Sequence, residues 1–183
     1  MSGSQTHRAV PGWSTARRLL LVVMVASGFV GLGYELVWAR MLAVSLGHEI
    51  AAVLAVVAAF FSGLALGAWV GNGILARSRN PQRWYAGLEL AIAAWVLVLV
   101  FSMDTLNSGM AAAVGITAHP LWQWTVAFGG TLLLLLPATA AMGATLPAME
   151  RLFSLRYQDS RSLAGLYAAN TFGAVLGIVA TTY

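Results

Sequence analysis

Residues 50–76 read IAAVLAVVAAFFSGLALGAWVGNGILA, a continuous apolar run without one charged side chain. A helix needs about 20 apolar residues to cross the hydrocarbon core of a bilayer, which is far longer than an ordinary strand. Open sheets cannot lie in lipid, because the backbone groups at their edges would have no hydrogen-bond partners. The run therefore predicts a transmembrane helix.

The composition of the whole chain agrees with a membrane protein. Of the 183 residues, 60% are hydrophobic and 9% are charged, whereas soluble domains are about 45–50% apolar and about 25% charged. The basic residues are all arginine, and they are spread along the chain rather than gathered in one patch. This distribution argues against nucleic acid as a partner and makes the lipid bilayer the expected one.

Further apolar runs, separated by polar segments, extend the pattern to residues 19–46, 84–103, 121–149 and 162–183. Together with the run at 50–76 they predict an all-α fold, a polytopic transmembrane helix bundle of about five spans. We expect residues 1–18 to form a cytoplasmic tail and residues 104–120 to form a loop with a short interfacial helix. Tryptophans near the ends of the runs are predicted to lie at the membrane surface, as aromatic belts do: Trp38, Trp84, Trp122 and Trp124.

The arginines alternate between the segments that join these runs. Short cytoplasmic loops carry an excess of arginine and lysine. In a five-span chain all the arginines except Arg40 fall on one side, in the tail and in the second and fourth connections: Arg8, Arg17, Arg18, Arg77, Arg79, Arg83, Arg151, Arg156 and Arg161. The pattern therefore supports the number of spans and predicts a cytoplasmic N-terminus.

Glycine recurs every fourth residue in the second run, at Gly63, Gly67 and Gly71. Residues at this spacing share one helix face, where the absence of side chains lets another helix approach closely. The pattern predicts tight helix packing, and a sliding surface of a transporter is the alternative. In the fourth run, Pro137 and Pro147 predict a kink or a broken helix.

Polar side chains inside apolar runs are the candidates for contact with a substrate or an ion. A charge at the centre of a membrane helix costs about 2.5–3.5 kcal/mol on insertion scales, so such residues are commonly functional. Tyr34, Glu35 and Arg40 lie near the predicted outer end of the first run. Glu35 and Arg40 are either charges at the interface that bond to neighbouring helices or groups that contact a substrate or an ion, and Tyr34 adds a hydroxyl beside them.

Glu89 and Asn170 are two further candidates for such contacts. Glu89 lies inside the third run, near the arginine-rich connection of residues 77–83. A structural ion pair with one of these arginines is the alternative to a functional role. Asn170 lies in the fifth run, and an asparagine in a membrane commonly bonds to another helix.

Catalytic, metal and cofactor sites are not indicated. The chain has no cysteine, no HExxH motif and no close-spaced pair of histidines, so neither thiolate chemistry nor a metal site is expected. No GxGxxG follows a predicted strand, and we therefore expect no dinucleotide or adenosylmethionine site and no cofactor in this chain.

Four blocks of sequence, taken together and in order, carry a family resemblance. They are SGF and YELVWAR in residues 27–29 and 34–40, SGLALG in residues 62–67, LPATAAMGATLP in residues 136–147, and GLYAANTFGA in residues 165–174. The set resembles the N-terminal membrane region of bacterial spermidine-synthase-like membrane proteins. The resemblance implies a multi-pass protein of the bacterial inner membrane.

The resemblance also implies a partner. Members of this family carry an aminopropyltransferase-like domain after the membrane region, with a Rossmann-like fold that binds decarboxylated adenosylmethionine or a relative of it. Nothing in residues 1–183 matches that domain, so no catalytic residue can be carried over. Because the last run ends without a polar boundary, we expect a fragment or a chain truncated before its transferase domain.

Three functions remain in view. The first is a membrane domain that anchors or regulates a spermidine-synthase-like transferase and is not catalytic by itself. The second is a transporter or half-transporter for polyamines or other small organic ions, which five spans would require to act as a homo-oligomer or with missing helices. The third is a structural subunit that assembles with other membrane proteins.

Overall fold

The computed structural model describes residues 15–46, 49–115, 119–157 and 160–183, and these residues form helices and short connections without a strand. The helices are α1 (Thr15–Leu46), α2 (Glu49–Leu75), α3 (Pro81–Val114), α4 (Pro120–Thr125), α5 (Thr131–Tyr157) and α6 (Ser160–Thr182). A π-helical turn, Val126–Gly130, joins α4 to α5. The predicted all-α fold class is confirmed.

Within the described ranges, five helical segments are long and apolar enough to cross a membrane, as the sequence predicts: Thr15–Ala43, Ala52–Leu75, Pro81–Val114, Pro120–Leu155 and Leu163–Thr182. The surface of the bundle carries large apolar side chains, and Phe101, Trp69 and Leu90 are 84%, 77% and 71% exposed. A soluble protein does not present so many large apolar groups to water. The chain has the architecture of a multi-pass membrane protein.

The third span is longer than predicted, because α3 continues through Asp104 to Val114. The expected loop from residue 104 is wrong as far as residue 114. Polar residues in this stretch suggest a loop, but a helix of 34 residues is about 51 Å long and exceeds the hydrocarbon core of about 30 Å. Its last turns can therefore carry polar groups, and the helix ends at Gly115, which has a φ of 65°.

Other helix ends also differ from the prediction. Helix α1 begins at Thr15, so the last residues of the predicted tail are helical, while residues 1–14 lie outside the described residues. Helix α5 continues from Glu150 to Tyr157, through most of the connection predicted between the runs at 121–149 and 162–183. Pro137 and Pro147 both lie inside α5 without ending it, so of the two predicted outcomes the broken helix is wrong and the kink stays a prediction. The regular α-helix is interrupted earlier, at the π-helical turn Val126–Gly130. A membrane helix tolerates an interior proline because neighbouring groups can satisfy the freed backbone carbonyl.

Helices α1 and α6 form a closely packed pair. A Cβ atom added at Gly173 would overlap the carbonyl oxygen of Val25, and one added at Gly177 would overlap that of Phe29. Moving four residues along α6 thus corresponds to moving four residues along α1, which means that the two helices are parallel. The first and last spans of a five-span chain must run in the same direction, so this contact agrees with the predicted alternation.

Helices α2 and α5 form a second parallel pair. The glycine face of α2 lies against α5, with Gly63 facing Thr139 and Gly71 facing Ala144. From the other side, a Cβ atom at Gly143 would overlap the carbonyl oxygen of Leu64. The two pairs surround the centre of the bundle, and α3 packs against α5, where the indole Nε1 of Trp95 donates a 2.9 Å hydrogen bond to the carbonyl oxygen of Leu134.

The arginine-bearing ends of the helices meet at one end of the bundle. Arg151, near the end of α5, donates a 3.5 Å hydrogen bond to the carbonyl oxygen of Ser78 in the turn between α2 and α3. Leu20 and Leu21 of α1 pack on the same apolar cluster as Phe153 of α5. The start of α1, the α2–α3 turn and the end of α5 are therefore neighbours. Trp38, expected at the membrane surface, is instead 2% exposed and belongs to the core.

Candidate functional site

A cavity of about 220 Å³ lies between the two parallel helix pairs and takes side chains from α1, α2, α5 and α6. Its walls are mainly apolar, with Met24, Phe60 and Leu64 among them. Its polar side chains are Ser27 and Asn170, and Thr145 of α5 adds a hydroxyl. None of the lining residues that the structure describes is charged.

Ser27 connects this cavity to a carboxylate. Its hydroxyl donates a 3.1 Å hydrogen bond to Oε1 of Glu89 on α3, 62 residues away in the sequence. The hydroxyl of Tyr85, one turn before Glu89, lies beside both groups and is buried without a well-formed hydrogen bond of its own. Glu89 is therefore one hydrogen bond from the cavity, and Ser27 stands between them.

The other polar groups of the cavity are fixed by a hydrogen bond within α5 and by the packing of α1 against α6. The hydroxyl of Thr145 donates a 2.6 Å hydrogen bond to the carbonyl oxygen of Met142. The backbone of Asn170 lies directly against Gly28, where any side chain on α1 would overlap the Asn170 carbonyl oxygen. The close approach of α1 and α6 thus fixes Asn170 in the wall.

The candidate residues of the sequence separate into two groups. Glu89 and Asn170 come together at the cavity, one through Ser27 and the other in its wall. Tyr34, Glu35 and Arg40 do not line it. Tyr34 stacks on Trp38 with ring centroids 5.5 Å apart, while Glu35 is half-buried and Arg40 is exposed near the opposite end of α1 from the N-terminus.

Sequence reasoning missed three polar residues of this region, Ser27, Thr145 and Tyr85. A serine or threonine in an apolar helix commonly bonds to its own backbone, so neither stands out in the sequence. Tyr85 did carry a signal, because a tyrosine four residues before a buried glutamate lies on the same helix face. The Ser27–Glu89 contact had no signal in the sequence, since it depends on how α1 and α3 pack.

Two larger cavities lie elsewhere in the bundle. One, of about 320 Å³, lies between α2, α3 and α5 and is lined only by glycine and apolar residues. The other, of about 300 Å³, lies where the last turns of α3 meet the π-helical turn and the start of α5. Neither combines polar side chains with a carboxylate, so the central cavity is the best candidate for a specific binding site.

Metal-ligating side chains do not gather anywhere in the described part of the chain. No group of three or more histidine, aspartate or glutamate residues lies close enough together to hold an ion. At the arginine-bearing end, the hydroxyl of Tyr167 donates a hydrogen bond to the carboxylate of Glu150. This contact ties α6 to α5 at the surface and encloses no pocket.

The four sequence blocks described above converge on the central cavity. Ser27 and Gly28 come from the first block, Leu64 from the second, Gly143 from the third and Asn170 from the fourth. Residues up to 143 positions apart in the sequence thus share one wall. Comparison of the chain with family models, curated proteins and solved structures finds no match.

Proposed function

We propose that this chain is the membrane domain of a spermidine-synthase-like protein, and that it anchors or regulates a transferase domain outside residues 1–183. The observation that carries the proposal is the convergence of the four blocks on one cavity. If the blocks served only to make their helices apolar enough for the membrane, they would not need to line the same cavity. Their meeting supports the resemblance as one of a shared three-dimensional unit.

The position of the arginines supports an orientation for this unit. The start of α1, the α2–α3 turn and the end of α5 are neighbours at one end of the bundle, and this end carries Arg17, Arg79 and Arg151. Arginine-rich ends face the cytoplasm. In the bacterial inner membrane, a transferase at the cytoplasmic surface, where its soluble substrates are, would have to be a separate chain or to follow a further membrane crossing, because α6 runs parallel to α1 and ends at the opposite end of the bundle.

The test is made on the protein in its native membranes. Antibodies to this chain are used to isolate it, and the isolated protein is assayed for aminopropyl transfer from decarboxylated adenosylmethionine to a polyamine. We expect activity in the membrane fraction, and we expect it to move to the soluble fraction when residues 15–183 are deleted. Absence of transfer activity, or activity that stays on the membrane after the deletion, would contradict the proposal.

A second candidate function is transport of a polyamine or another small organic ion, and the central cavity favours it. Substrate sites of transporters lie near the bilayer midplane, between packed helical units, and the cavity lies between two parallel helix pairs. Proteoliposomes containing the chain are expected to take up radiolabelled putrescine. The charge-neutral variant Glu35→Gln is expected to abolish uptake if Glu35 contacts the ion during passage. Absence of uptake by the wild-type protein would remove this candidate.

A further inference from the structure

The hydrogen-bonding groups of the central cavity are acceptors more than donors. The hydroxyl proton of Ser27 is directed to Glu89, and that of Thr145 to the carbonyl oxygen of Met142. A hydroxyl that donates elsewhere still offers its oxygen lone pairs. Both hydroxyls therefore present acceptors, and the side-chain amide of Asn170 can supply a third through Oδ1.

The carboxylate of Glu89, which lies behind Ser27, also favours a cationic ligand. A carboxylate in a low-dielectric surrounding is costly unless it is hydrogen-bonded and paired. Ser27 supplies one hydrogen bond, and the neighbouring Tyr85 hydroxyl is buried beside the same carboxylate. A cation bound against the Ser27 oxygen would interact favourably with this carboxylate. An anion would be repelled by it and, among the described lining residues, would have the Asn170 amide as its side-chain donor.

The rest of the wall limits the size and polarity of the ligand. The volume of about 220 Å³ is below the range of roughly 300–1,000 Å³ that is typical of pockets for drug-sized molecules. The wall is mainly apolar, and Phe60 contributes an aromatic ring to it. Aromatic rings attract cations, and apolar walls favour methylene groups over a hydrated metal ion.

We propose that the central cavity is a binding site for a small organic ammonium ion with a short alkyl body. Its ammonium N–H groups donate hydrogen bonds to the hydroxyl oxygen of Ser27, behind which Glu89 lies, and to the side-chain oxygens of Thr145 and Asn170. The site goes beyond the anchoring function, because every residue in it belongs to the bundle itself. If the protein is a transporter, this site gives the class of its substrate. Binding of the ammonium ion without its transport would support the site and contradict the transport function.

The first experiment compares ligands of one shape and different charge. The purified full chain in lipid nanodiscs is titrated with propylammonium chloride, with 1-propanol and with sodium propionate, and binding is followed by calorimetry. We expect saturable binding of propylammonium, at least tenfold weaker binding of propanol and none of propionate. Equal binding of all three compounds, or no saturable binding of propylammonium, would overturn the proposal.

The second experiment removes the polar groups one at a time. Ser27→Ala and Glu89→Gln are each expected to weaken propylammonium binding at least tenfold, which is the order expected when a hydrogen bond that involves a charged group is lost. Ser62→Ala and Asp104→Asn are the matched controls, because both residues are exposed and neither lines the cavity. Wild-type affinity in both Ser27→Ala and Glu89→Gln would contradict the assignment.

A steric variant keeps the test decisive if the polar variants do not fold. Gly31 lines the cavity, and a Cβ atom added there meets nothing within 4 Å. Gly31→Leu is therefore expected to fill the cavity and abolish propylammonium binding, while the protein still elutes as a folded species. Gly87→Leu is the control, since Gly87 has equally open space around it and lies outside the cavity. Unchanged binding in Gly31→Leu would show that the ligand binds elsewhere.

Discussion

At the scale of single residues, the glycines of α2 are distinguished by what lies opposite them. A Cβ atom at Gly67 would overlap the carbonyl oxygen of Ala140 and lie 2.6 Å from its carbonyl carbon, whereas one at Gly73 would meet nothing within 4 Å. Backbone atoms cannot move aside as a side chain can, so Gly67→Ala must push α2 away from α5. We expect Gly67→Ala to lower the stability by about 3 kcal/mol.

The control for Gly67→Ala is the same exchange on the open face. Gly73→Ala is expected to leave the stability unchanged or to raise it by about 0.5–1 kcal/mol, because alanine is favoured over glycine inside a helix. Thermal unfolding in detergent, followed by size-exclusion chromatography, gives both values. Equal stability of the two variants would mean that α2 and α5 do not pack as closely as the structure has them.

The residues of the candidate site were predictable to different degrees. Glu89 and Asn170 could be singled out from the sequence because a carboxylate or an amide is costly in an apolar run. Their meeting around Ser27 could not, because it is set by the packing of α1 against α3 and α6. Glu35 stood out for the same reason as Glu89, and its role at the far end of α1 remains a prediction for the transport assay.

At the scale of elements, the length of α3 is the largest difference from the sequence expectation. Asp104, Asn107, Ser108 and Gly109 look like a loop, but the structure keeps them helical, and the hydroxyl of Ser108 bonds back to the carbonyl oxygen of Thr105. Hydropathy marks where a segment stops being apolar, not where its helix stops. An isolated polar extension satisfies its own backbone hydrogen bonds and can leave the membrane as a helix.

This extension can be tested with a helix breaker. Gly109 is inside α3, so Gly109→Pro removes a backbone hydrogen bond and is expected to cost about 3 kcal/mol. Gly109→Ala, the control, is expected to be neutral or slightly stabilising, since a Cβ atom there has open space. Thermal unfolding of both variants decides, because a loop at this position would tolerate proline nearly as well as alanine.

The contact between α3 and α5 gives a second prediction at this scale. Trp95→Phe keeps an aromatic ring but removes the donor to the Leu134 carbonyl oxygen. Hydrogen bonds between membrane helices contribute about 0.6 kcal/mol on average, so we expect a loss of that order in unfolding experiments. Trp69→Phe is the matched control, because Trp69 is 77% exposed. A loss of the same size in the control would assign the effect to the change of ring and not to the hydrogen bond.

At the scale of the whole molecule, the number of membrane spans could be predicted from the sequence better than the way the helices pack against one another. Hydropathy gives the spans directly, since each must match the thickness of the bilayer. The pairing of α1 with α6 and of α2 with α5 depends on glycines that meet across long sequence separations. The glycine face of α2 was visible in the sequence, but its partner was not, because several other helices also carry small residues.

The alternation of arginines predicts the orientation of the bundle, and this prediction can be tested directly, because the chain has no cysteine. Arg79→Cys places a thiol in the α2–α3 turn, and His119→Cys places one before α4, beyond the other end of α3. If the arginine-bearing end faces the cytoplasm, a membrane-impermeant maleimide added to spheroplasts will label His119→Cys and not Arg79→Cys. Both will react after lysis in detergent. Labelling of Arg79→Cys alone in intact spheroplasts would mean that the orientation is the reverse of the predicted one. Labelling of both variants would mean that α3 does not cross the membrane.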